Sequence, residues 1–89
     1  MTDDKQNKEA MKEAIETLNQ IATNRSTPKT IKKSITDLVV DLNNDEYSLS
    51  VRANNTISLL DDVTQDPNMP SYVRTQLWQA VSKLESIRE

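Results

Sequence analysis

Two charged groups in this 89-residue chain have the residue types and spacing that binding chemistry uses. The first is Asp61, Asp62 and Asp66. Carboxylates this close in sequence are candidate ligands for Mg²⁺ or Ca²⁺. Two observations weigh against that reading. Asp61 and Asp62 are adjacent, so on a helix they point about 100° apart. No glycine-bearing calcium loop surrounds them, because the chain has no glycine. The plainer account is a solvated helix end, with Asp66 pairing Arg52 or Arg74 or capping the next helix. The second group is Arg25, Lys29, Lys32 and Lys33, a basic cluster with no acid among it. It surrounds the start of a helix, whose free N–H groups already attract anions, so phosphate or an RNA backbone is the candidate ligand. The chain as a whole is acidic, with a net charge of −3. No aromatic side chain is interleaved with the basic ones to stack on bases. A solvated basic face is the simpler reading.

Catalytic residue types are scarce. The chain has no His and no Cys, which removes the usual neutral-pH base, the commonest transition-metal ligand and the thiol nucleophile. Ser and Thr are plentiful, but a hydroxyl nucleophile needs a base within hydrogen-bond reach, and only Lys or carboxylates remain for that role. The absence of glycine excludes the glycine-rich phosphate loops. No catalytic constellation is read, and no metal or cofactor is expected.

Binding types are better represented. Trp78 lies about 120° from the centre of its helix's apolar stripe, beside Arg74 and Glu85. It is open to two readings: a core-edge residue covered by Arg74, or an interface anchor, since Trp and Arg are enriched at binding hot spots. Arg52 and Arg74 fall in the first turns of their helices, where a cation opposes the helix dipole. Each therefore needs a compensating partner, and Asp45, Glu46, Asp62 and Asp66 are at hand. Val40, Val51 and Leu59 are also displaced from their stripes. Several stray large apolar residues in a chain that is 35% hydrophobic point to a second buried surface.

The elements that position these residues follow from periodicity. Apolar residues recur at helical spacing in four blocks. The first runs from about Asp3 to Thr23, with Met11, Ala14, Ile15, Leu18, Ile21 and Ala22 inward. Thr27-Pro28 predicts a helix start with Thr27 as N-cap and Pro28 in the first turn. Ile31, Ile35, Leu38, Val39 and Leu42 then share a stripe, which ends at Asn43-Asn44, where Asn replaces the usual left-handed glycine. A third block starts near Ser48 or Ser50, with Leu49, Ala53, Ile57, Leu60 and Val63 inward. Pro67 and Pro70 break it. A fourth runs from about Ser71 to Ile87, with Val73, Leu77, Ala80, Val81 and Leu84 inward. Leu18, Ile35, Leu38, Ile57, Leu60 and Leu77 are the expected centre of the core. The two halves match at an offset of 42 residues, Pro70 against Pro28 and Arg74 against Lys32, as a duplicated helical hairpin would.

The stretch Val51-Arg52-Ala53 to Leu60-Asp61-Asp62, followed by Gln65-Asp66-Pro67-Asn68-Met69-Pro70, Arg74-Thr75 and Trp78, resembles a family of small uncharacterised archaeal proteins. The resemblance runs from the first helix to Leu84-Glu85. It implies an all-α, four-helix up-and-down bundle arranged like a bromodomain, and it carries no activity, cofactor or catalytic residue.

Residues 1–89 thus read as one helical domain. The segment Met1-Thr2-Asp3-Asp4-Lys5 is polar, unlike a secretion signal, and no apolar run spans a bilayer, so a cytoplasmic location is expected. The reading is a non-enzymatic helical protein-interaction module that forms a homodimer, with Trp78, Arg74, Val40, Val51 and Leu59 as interface candidates. The alternative is a nucleic-acid-associated accessory protein that uses Arg25, Lys29, Lys32 and Lys33 for anion contact.

Overall fold

The structure, a computed structural model, describes residues 4–87. Four helices follow in order: α1 (Asp4–Thr23), α2 (Lys29–Leu42), α3 (Leu49–Thr64) and α4 (Ser71–Glu85), with no strand among the described residues. Asp3, where the periodicity starts the first helix, lies outside them. The short connections make each helix antiparallel to the one before. Each helix packs on the next, and α1 closes the ring against α4. The result is an up-and-down bundle, 41 Å long and 22 by 20 Å across.

The helix starts depend on two prolines, though not through the neighbours the sequence suggests. Pro28 itself is the N-cap of α2, with φ −56° and ψ 145°. Its extended ψ keeps it outside the helix, while its carbonyl accepts the Lys32 N–H at 2.9 Å. Thr27 makes no cap: it is 3% exposed and its Oγ1 is buried without a hydrogen-bond partner among the described residues. Pro70 repeats the arrangement at the head of α4, with φ −60° and ψ 146°. The matching dihedrals follow from the fixed φ of proline and the extended ψ of an N-cap. α3 differs, because Ser48 caps it by accepting the Val51 N–H at 3.3 Å.

The end of α2 also departs from expectation. Asn43 is not left-handed (φ −91°, ψ 5°), and no described residue has positive φ. Its backbone N–H donates to the Val39 and Val40 carbonyls, both at 3.2 Å, and its side-chain Nδ2 adds a second bond to the Val39 carbonyl at 2.9 Å.

One core joins all four helices. α1 contributes Met11, Ala14, Leu18 and Ile21, α2 contributes Ile31, Ile35, Leu38 and Leu42, and α4 contributes Val73, Leu77, Ala80, Val81 and Leu84. Met69 and Ile87, outside the helices, close the two ends. In α3 the buried line is Ala53, Thr56 and Leu60. Ile57 was expected at the centre of the core but is only half-buried. It stands about 100° past Thr56, so once Thr56 faces inward Ile57 is turned to the flank. A surface ion pair, Lys83 Nζ to Glu13 Oε2 at 2.9 Å, links α4 to α1. Both side chains are about half-exposed, so it adds less than about 1 kcal/mol.

Candidate functional site

Arg52 and Arg74 each occupy the fourth position of a helix. Neither relies chiefly on a carboxylate. Arg52 Nη1 donates to the Leu42 carbonyl at 3.0 Å and its Nε to the Ser48 carbonyl at 3.4 Å. Arg74 Nε donates to the Thr64 carbonyl at 3.3 Å and its Nη2 to the Asp66 carbonyl at 3.4 Å. Leu42 and Thr64 are the last residues of α2 and α3, where the carbonyls point outward and the helix dipole is negative. The cation that is misplaced on its own helix is therefore well placed against the preceding one. Of the expected partners, Asp45 comes within 3.8 Å of Arg52 but is fully exposed, and Asp66 serves Arg74 through its backbone. The Asp66 carboxylate instead accepts the Asn68 N–H at 2.9 Å and shapes the turn before α4. Arg74 is thus a strut between helices.

The interface candidates lie on different parts of the surface. Trp78 on α4 is 51% exposed, and Val40 on α2 is 65% exposed. Val51 and Leu59, both exposed on α3, stand roughly 80° apart around that helix. Leu59 lies in the groove between α2 and α3, with Leu38, Val63, Asp37, Asp41 and Asp62. Two further exposed aromatics, Tyr47 and Tyr72, had no signal in the periodicity, since each sits at a helix boundary where no stripe is defined.

The topology brings the basic and acidic groups to the same end of the bundle, because α2 starts where α3 finishes. Arg25, Lys29 and Lys33 are exposed and Lys32 is half-buried. None of the four forms an ion pair among the described residues, and the head of α2 has no side-chain cap. Asp62 and Asp66 line the α2–α3 groove beside Thr30, Ile31 and Ser34. Asp61 and Asp62 are fully on the surface side of their helix. Among the described residues no three carboxylates are grouped closely enough to hold a metal ion. Ser26 and Lys29 have the spacing of a serine–lysine pair; both are exposed, and no hydrogen bond joins them among the described residues. No helix among the described residues is long and apolar enough to cross a membrane.

Comparison with known proteins agrees with this architecture. A protein of Sulfurisphaera tokodaii is 37% identical over 83 residues, covering 93% of each chain. One of Methanosarcina acetivorans is 35% identical over 79 residues, covering 89% of this chain and 81% of its own. Both are described as UPF0147 proteins. The crystal structure of a UPF0147 protein from Thermoplasma acidophilum superposes with a TM-score of 0.87 at 28% identity, covering 94% of this chain and 99% of that one. The uncharacterised protein family UPF0147 itself matches residues 1–87, so this four-helix bundle belongs to the UPF0147 family, whose relatives here are archaeal.

Proposed function

We propose that the protein is a small, non-enzymatic helical interaction module of the cytoplasm that self-associates. One observation carries the reading. Val40, Tyr47, Val51, Leu59, Tyr72 and Trp78 remain exposed in a chain that has few large apolar residues to spare. A domain this small buries only about 60–65% of its extended-chain surface by itself, and a second copy is the commonest source of further burial. The lack of His and Cys supports the non-enzymatic part. Sedimentation at about 100 µM, above the micromolar constants of ordinary weak complexes, tests the proposal. A dimer is expected, and a strictly monomeric chain sinks it. The same measurement on Trp78→Glu tests whether Trp78 lies in the contact.

A second reading is anion contact at the head of α2, favoured by its lack of a side-chain cap beside four basic side chains that form no ion pair among the described residues. Binding to generic RNA that falls steeply with added salt supports it. Absence of binding at about 50 mM salt removes it.

A further inference from the structure

We infer that the self-association proposed above runs through the outward face of α2, paired with α2 of a second copy in antiparallel orientation about a two-fold axis at the level of residue 35. The inference rests on that proposal and names its surface, which takes in Val40 and leaves Trp78, on the diagonally opposite α4, outside the contact. Lys29, Lys33, Asp37 and Asp41 follow one another at four-residue spacing and are all exposed. Residues four apart advance about 40° around a helix, so the four form one continuous row on the outside of the bundle.

Within a single chain this row is poorly arranged. Both lysines are in the N-terminal half of α2 and both aspartates in the C-terminal half, so each end opposes the helix dipole. No acidic residue lies in the first turn and no basic one in the last. Lys29 and Lys33 are like-charged neighbours at i,i+4, as are Asp37 and Asp41. The one opposite pair, Lys33 and Asp37, has the less favourable order and makes no ion pair here. The outward face of α2 therefore keeps four charges with no partner among the described residues.

The same row is complementary to itself when reversed. Turned about residue 35, position 33 meets 37 and position 29 meets 41, so each copy offers two lysines to two aspartates. Four ion pairs form across one symmetric contact, and the two helix dipoles run antiparallel. Rows of i±4 residues are also the ridges that pack in the commonest helix–helix crossing. Asp62 stands in the groove beside Asp37 and Asp41 and adds a carboxylate to the face that receives the partner's lysines. Val40 flanks the row at 65% exposure, giving the contact an apolar margin.

Charge exchange tests this directly. The dimer dissociation constant of the full chain is measured by sedimentation at about 0.1 M salt for the wild type, Lys33→Glu, Asp37→Lys and the double variant. Each single variant sets like charges face to face across the axis and should weaken the dimer about tenfold or more. The double variant restores opposite charges and should return to near the wild-type value. Raising salt to about 1 M should weaken the wild-type dimer, since the screening length falls to about 3 Å. All four positions are exposed, so folding is not at stake; helical circular dichroism checks it. A dimer indifferent to both single variants, or a double variant as weak as the singles, overturns the α2 contact while self-association stands. A monomeric wild type overturns self-association itself.

Discussion

Arg52 and Arg74 stand in the same relation to successive helices: each donates to the carbonyl ten residues earlier, Leu42 for Arg52 and Thr64 for Arg74. The α2–α3 and α3–α4 corners are thus held by one device. A guanidinium in the first turn of the later helix satisfies acceptors at the end of the earlier one. The planar, multi-donor head of arginine suits this, since it engages two carbonyls from one side chain.

Arg74→Ala should lower stability by about 1–3 kcal/mol, the range for a part-buried hydrogen bond from a charged donor. Arg74→Lys should recover less than half of the loss, because a point ammonium does not span both the Thr64 and Asp66 carbonyls. Urea unfolding measures both. A loss under about 0.5 kcal/mol for Arg74→Ala means that water replaces these contacts freely.

The inward line of α3 separates two neighbouring truncations. Leu60→Ala should cost about 2–5 kcal/mol, as for a fully buried leucine. Ile57→Ala should cost less than half as much, since its side chain lies on the half-exposed flank. Equal losses by chemical denaturation would place Ile57 in the core after all.

Thr27→Val removes a buried hydroxyl that has no partner among the described residues and keeps the branched shape. The expected result is a gain of up to about 1 kcal/mol, the desolvation cost of an unsatisfied polar group. A loss of about 1 kcal/mol or more would show that the Thr27 hydroxyl caps α2 in solution, as the Thr-Pro pair suggests from sequence.

Among α2, α3 and α4, only α3 has a side-chain N-cap. Ser48→Ala should therefore destabilise by about 0.5–2 kcal/mol and raise amide exchange at Val51, whose N–H loses its acceptor. Unchanged exchange at Val51 would mean that Ser48 caps nothing.

Sequence alone determined the four helices, their order and most of the core. A period of 3.6 residues is a property of each segment by itself, and Pro28 and Pro70 punctuate the chain wherever it folds. It also sufficed to show that Arg52 and Arg74 need compensation, because the dipole of a helix belongs to its own residues. Tertiary structure decided which partner answers that need. Carboxylates are visible in a sequence as charges, whereas the negative end of a helix exists only once the helix is formed and placed beside the arginine. The same holds for Thr56 over Ile57. Their order on the α3 arc is fixed by where α2 and α4 lie, and single-helix periodicity cannot separate neighbours on a wide apolar arc. The groove that gathers Leu59, Asp37, Asp41 and Asp62 likewise needed two helices side by side. Lys29, Lys33, Asp37 and Asp41 stand on the outward side of α2 because the opposite side is taken by Ile31, Ile35, Leu38 and Leu42, a stripe already legible from periodicity, while their lack of partners among the described residues is decided by what the other helices place beside them.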